Sequence, residues 1–201
     1  MNRLIASFAA CLLFPLAAFA DPAEDKIEKI AKAMGGYNGV ERDDSKKGRP
    51  VIVVKMQNAK SIPVDVCKQL AELKYVQKVF FTGSPITDEG VKELIPLGKT
   101  LYQLDLGGTK VTSESLKHVA QMPNLISVSF MDTAVGNNNL KELQSLKKLT
   151  HLYLSRTKIT PAGFDDLATL KTLKDLYLVE NRLSKEEYIE LRKKMPKTLV
   201  R

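Results

Sequence analysis

The residues with chemical reach in this chain are two cysteines, two histidines and a scatter of carboxylates, lysines and tyrosines. Cys11 lies in an apolar N-terminal run, which leaves Cys67 as the thiol to consider. A nucleophilic thiol needs a low pKa and a base beside it. Cys67 instead falls in a column held elsewhere by Val91, Leu116, Leu140, Phe164 and Tyr188, a pattern that predicts a small buried hydrophobe. His118 and His151 have no Cys, Asp or Glu at a metal-ligand spacing. No Ser sits in a G-x-S-x-G context, and no Gly-rich loop runs into a helix with Lys-Ser/Thr. Gly107 and Gly108 read as turn residues. The sequence therefore predicts no catalytic group, no cofactor and no metal, and it carries no nucleic-acid motif.

What repeats is a set of side chains suited to contact. Lys78, Gln103, His151 and Asp175 share one column; Phe80, Asp105, Tyr153 and Tyr177 share a second. Met131 falls in a third, and Tyr102 precedes Gln103. Aromatic, Met and polar residues mixed in this way suit a protein interface. The plainer alternative is ordinary surface exposure.

These columns are set by a periodic frame. Leu101, Leu104 and Leu106 follow L-x-x-L-x-L, and an apolar helical pattern continues through Leu116, Val119 and Met122. The frame starts at Val51, Val76, Leu101, Leu125, Leu149 and Leu173, steps of 24 or 25 residues. That is the leucine-rich-repeat signature, a short strand and a helical return in each repeat. Apolar residues at the fourth and sixth positions mark strands with one buried face, which must pair in a parallel sheet. The expected architecture is a right-handed α/β solenoid of about six repeats with the sheet on its concave side. The contact columns then line that side, the usual binding surface of such arrays.

Three positions after each strand stands a small polar column: Ala59, Ser84, Thr109, Thr133, Thr157 and Asn181. A buried side chain is needed there to satisfy backbone groups that face the core. From Ser84 to Asn181 the column is expected to form a ladder, each Thr hydroxyl donating to the neighbouring repeat. Ala59 cannot take part, so the first repeat is expected to be irregular. Thr87, Thr112, Thr160 and Ser184 are placed to cap helices, Pro161 suits a first helical position, and Ser184 with Glu187 has capping-box spacing. In the fourth repeat, residues 136–139, Gly-Asn-Asn-Asn, predict a looser turn.

The segments SPITDEGVKEL and TKITPAGFDDL resemble the T-x-I-T-D-x-G-L-x-x-L repeats of bacterial leucine-rich-repeat proteins of the exported, planctomycete type. The lead-in IAKAMGGYNGVERDD…GRPVIVVKM is similar to theirs. The resemblance covers roughly residues 25–199 and implies a curved solenoid that usually binds proteins, with no particular partner.

Residues 1–20 read as a secretory signal: Arg3, an uncharged apolar run, and Ala18-Phe19-Ala20 before Asp21. A retained anchor or a lipidated Cys11 are the alternatives, and Phe8 stands where a lipobox takes an aliphatic residue. Residues 21–49 read as a capping helix followed by a loop, because Ile27, Ile30, Ala31 and Met34 make one apolar stripe that ends at Gly35-Gly36. Residues 50–201 are the repeats. The expected location is the periplasm or the exterior. Cleavage leaves a single cysteine, hence no internal disulfide, and lowers the net charge from +8 to +7. That excess is either a solvated bias or a means of attracting an anionic glycan or envelope polymer.

Overall fold

The computed structural model describes residues 21–35 and 38–201; the predicted signal segment lies outside them. Helix α1 (Pro22–Ala33) opens the chain, capped by the Asp21 carboxylate, which accepts from the Ala23 N–H at 3.0 Å. It buries Ile27 and Ala31, two residues of its apolar stripe, at 0 % exposure.

The segment expected as a loop contains a strand instead, β1 (Gly39–Arg42). It pairs antiparallel with β2 (Val51–Lys55), with an irregularity between Glu41 and Arg42. Only Val40 is apolar in β1, so backbone pairing and polar ties hold it rather than a buried face. Asn38 extends the pairing, its amide bonding both the N–H and the C=O of Gln57. Arg42 reaches back to Glu24, Asp25 and Glu28 of α1 at 2.8–3.1 Å.

From β2 onward the chain alternates strand and return. Strands β3 (Lys78–Phe80), β4 (Gln103–Asp105), β5 (Ser127–Ser129), β6 (His151–Tyr153), β7 (Asp175–Tyr177) and β8 (Leu199–Val200) lie side by side in chain order. Each is parallel to its neighbour and in register from one repeat to the next. The returns carry α2 (Val64–Ala71), α3 (Asp88–Glu93), α4 (Glu114–Val119), α5 (Phe164–Ala168) and α6 (Lys185–Lys194). This is an α/β repeat fold. The fourth return is a 3-10 segment, Leu140–Ser145, entered through Asn139 at φ 65°. The Asn run there gives the looser turn its left-handed residue cheaply.

The core is the frame itself. Val54, Val79, Leu104, Val128, Leu152 and Leu176 stack at 0–1 % exposure against Cys67, Val91, Leu116, Leu140 and Phe164 from the returns. Burying one such side chain is worth about 1.5–3 kcal/mol, so a single-layer stack of short strands is stable without a disulfide. Two glycines let adjacent returns approach. A Cβ on Gly90 would stand 3.2 Å from Cys67 Sγ of the preceding return, and one on Gly163 would stand 2.6 Å from Asn137 Oδ1.

The polar ladder departs from expectation in its middle. Thr109, Thr133 and Thr157 each donate to the carbonyl three residues back, Leu106, Phe130 and Leu154, at 2.6 Å. Those bonds stay within one repeat, because the nearest acceptor is the residue's own turn. Only the ends bridge repeats. Ser84 donates to Met56 C=O at 2.6 Å and accepts from Ala59 N–H at 2.8 Å. Asn181 donates to Leu154 C=O and accepts from Thr157 N–H, both at 2.7 Å.

A second ladder does the bridging. The Asp88 carboxylate accepts from Thr112 N–H at 2.9 Å, from Thr112 Oγ1 at 2.7 Å and from the Ser115 hydroxyl. Ser113 Oγ accepts from Gly136 N–H at 2.8 Å, and Asn137 takes Thr160 by its N–H and hydroxyl at 3.1 and 2.6 Å. Thr112 and Thr160 are thus held by the preceding repeat, and neither Thr87 nor Thr160 caps through its side chain. Thr112 accepts from Glu114 N–H at 3.2 Å, although Ser113 is the residue at the cap of α4. Ser184 does cap α6, with Glu187 completing the box.

Candidate functional site

The alternation that buries Val79, Leu104, Val128, Leu152 and Leu176 turns the residues on either side of each to the opposite face of the sheet. Lys78, Gln103, Ser127, His151 and Asp175 are paired neighbour to neighbour along it, as are Phe80, Asp105, Ser129, Tyr153 and Tyr177. All are half-buried, more covered than a free surface position, because each lies against its counterpart in the next strand.

The face divides in two at the small Ser127 and Ser129. On the β2–β4 side, Asp105 is occupied by its own surroundings. It accepts from Gly107 N–H at 2.8 Å and from Thr82 Oγ1 at 2.9 Å, and Thr82 in turn accepts from Gln57 Nε2 at 3.2 Å. Lys78 Nζ sits 5.6 Å from the centre of the Tyr102 ring, a cation–π contact. Phe80 and Gln103 are half-buried beside these, and Met131 is half-buried past the end of β5, its carbonyl accepting from Gly108 N–H at 2.8 Å.

On the β6–β8 side the groups converge. Tyr153 and Tyr177 stack with ring centroids 4.6 Å apart and planes 13° apart. Arg201 covers the outer ring, its guanidinium carbon 5.2 Å from the Tyr177 centroid and one nitrogen 3.1 Å from the Tyr177 hydroxyl. Asp175 lies between His151 and Arg201, 3.5 Å from His151 Nε2 and 3.5 Å from the Arg201 guanidinium. The other His151 nitrogen is 2.8 Å from Thr150 Oγ1. Burial, then Tyr177 and Asp175, push the Tyr153 phenol above its ordinary range. Its hydroxyl has no hydrogen-bond partner among the described residues and stays available.

Arg201 and Thr150 are the members that sequence reasoning missed. Arg201 follows Tyr177 by 24 residues, the period of the frame, and its backbone bonds to Leu176 and Leu178 place it beside that ring. The period was the available signal; the segment KTLVR simply lacks the L-x-x-L start that would have drawn attention to it.

The other reactive residues lie elsewhere. Cys67 is fully buried, and burial, with Glu93 nearby, pushes its thiol up to about 12. His118 is half-buried on α4. Among the described residues no cluster of His, Cys, Asp or Glu is placed to hold a metal ion, and no helix is long and apolar enough to cross a membrane.

No curated protein matches the chain. A leucine-rich-repeat protein of Leptospira interrogans has a similar structure, with TM-score 0.52 and 27 % identity, over 75 % of this chain and 36 % of that one. An internalin of Listeria monocytogenes shares the fold at TM-score 0.54 and 19 % identity, over 90 % of this chain and 57 % of that one. The chain therefore spans less than two thirds of either protein. In sequence, residues 145–168 match the Leucine Rich repeat family. One matched repeat and two repeat-fold neighbours agree with the frame: the chain has the leucine-rich-repeat fold that these proteins share.

Proposed function

We propose that the chain is an exported bacterial protein-binding module, a right-handed solenoid of about six repeats with α1 and β1 as its N-terminal cap. The exposed face of its sheet is the concave, partner-binding side. The observation that carries this is the stacked Tyr153–Tyr177 pair with His151, Asp175 and Arg201 around it. None of these side chains is needed by the buried frame, and together they offer flat aromatic area, a free phenol and both charges, the composition of an interface hot spot. The β2–β4 side of the face is more self-satisfied and serves as rim.

The test is affinity capture from an envelope extract of the source cells, comparing the wild-type chain with Tyr153→Ala/Tyr177→Ala and with Lys117→Ala on α4. The expected result is a protein retained by wild type and by Lys117→Ala and lost by the double variant, with all three melting alike. Retention by the tyrosine variant would remove the face from consideration. A second reading, binding of a polyanion or envelope glycan, would draw on exposed lysines that precede the strands, Lys99, Lys147, Lys171 and Lys174 among them.

A further inference from the structure

Because β3 to β8 are parallel and in register, the segments that lead into them all emerge along one edge of the sheet. Those segments carry Lys74, Lys99, Lys147, Lys148, Lys171, Lys174 and Lys197, every one exposed. Glu72 is the carboxylate among them. None of the seven lysines is in an ion pair among the described residues; Lys147 and Lys148 donate only to Gln144 C=O and the Asn124 amide, both at 2.6 Å. The opposite edge, where strands end, sets carboxylates among its cations, and Arg156 pairs there with Asp132 and Glu180 at 3.8 and 4.0 Å. The border where strands begin, about 24 Å long for five strand spacings, therefore gathers seven lysines outside any ion pair.

The same border carries exposed apolar side chains. Among the described residues the large hydrophobics standing in solvent are Val64, Tyr75, Ile126, Val179, Ile189 and Leu199. Tyr75 and Ile126 lie on this border, at 50 % and 40 % exposure, interleaved with the lysines.

We propose that this edge docks on an anionic lipid bilayer. Lysines near such a surface are attracted by its negative potential, each worth roughly fivefold in partitioning. Tyr75 and Ile126 would enter the headgroup region, where apolar and aromatic side chains are taken up alongside basic ones. A soluble polyanion would satisfy the lysines and leave the two apolar groups in water; the bilayer takes both, and this decides between them. Docked by its edge, the protein keeps the tyrosine face of the sheet open, so the two surfaces are independent.

The experiment is flotation of the full chain with vesicles of phosphatidylcholine alone and of phosphatidylcholine with phosphatidylglycerol. The zwitterionic vesicles give the baseline for any association through residues 1–20. The expected result is association above that baseline with the anionic vesicles, weakened by salt. It should fall at least about tenfold in Lys99→Gln/Lys147→Gln/Lys171→Gln/Lys174→Gln and measurably in Tyr75→Ser/Ile126→Ser. Lys60→Gln/Lys110→Gln/Lys158→Gln, on the opposite edge, should bind as wild type. No gain with anionic vesicles, or an equal loss from either edge, overturns the proposal. So does a soluble polyanion, dextran sulfate, that binds the wild type and the serine variant equally while the serine variant keeps full vesicle binding.

Discussion

Glu24 of α1 and Arg42 of β1 are paired at 2.8 Å with side-chain exposures of 6 % and 15 %. The other Glu24 oxygen accepts the Val51 N–H at 3.1 Å, so one carboxylate joins the helix, the antiparallel strand and the first parallel strand. Arg42→Ala leaves that carboxylate covered and unpaired beside Asp25 and Glu28. Loss of about 3 kcal/mol is expected in urea denaturation, the scale for breaking a covered pair from one side. Glu24→Gln/Arg42→Met should lose less than Arg42→Ala alone; an equal or larger loss would show that the pair is not the tie described.

Thr133→Val keeps the volume and removes a buried hydroxyl from Phe130 C=O. About 1–2 kcal/mol should be lost. Asn181→Ala should cost more than that, because it frees Thr157 N–H and takes one of two donors from Leu154 C=O. Denaturation midpoints in the reverse order would mean that the threonine column, and not its ends, couples the repeats.

Burial pushes the Asp88 carboxyl up, but the bonds from Ser115 and Thr112 outweigh it and hold it below the ordinary range. A carboxylate depressed in the folded state contributes stability above its unfolded pKa, near about 4, and that stability is lost as pH falls through the folded value. Asp88→Asn should therefore be less stable at neutral pH and show a shallower loss on acidification. Parallel pH–stability curves for the two proteins would refute the assignment.

Gly163→Ala places a methyl against Asn137 Oδ1 and, at 2.8 Å, against Leu140 Cδ1. A cost of about 1–3 kcal/mol is expected, the range for overpacking. Gly136→Ala is the comparison, since its new carbon meets nothing closer than 3.4 Å. Thermal melts of the two should differ clearly, with only the Gly163 variant strongly lowered.

Cys67 in the native protein should resist iodoacetamide at pH 8, since its thiol is shielded and protonated there, and should react fully in denaturant. Peptide mass spectrometry resolves it from Cys11. Rapid native labelling would reopen the nucleophile reading set aside from the sequence.

The strand frame was legible because burial imposes a strict alternation, and Leu104 or Leu152 has no other way to read. Strand β1 was not, since Gly-Val-Glu-Arg offers no buried stripe and its partner is another segment's backbone. The threonine column was legible as a set of residue types but not in its partners. A short hydroxyl side chain takes the nearest carbonyl, three residues back, before it reaches a neighbour. The bridging role of Asp88, Ser113 and Asn137 was hidden because their positions look like ordinary helix starts. The face residues were identifiable as exposed positions; that the β6–β8 end would gather them tightly depended on Arg201, beyond the last frame start.

The antiparallel strand at the start of the array has a consequence for growth. A parallel strand left bare at that end would present an open row of amides and carbonyls, a template for another chain. Here β2 gives that row to β1, and β1 shows outward a short, irregular border with Glu41 exposed and Arg42 drawn back onto α1. A second molecule meets at this end no continuation of the parallel ladder on which to add a strand. The parallel ladder ends there through a reversal of strand direction, fastened by the ties of Arg42 to α1.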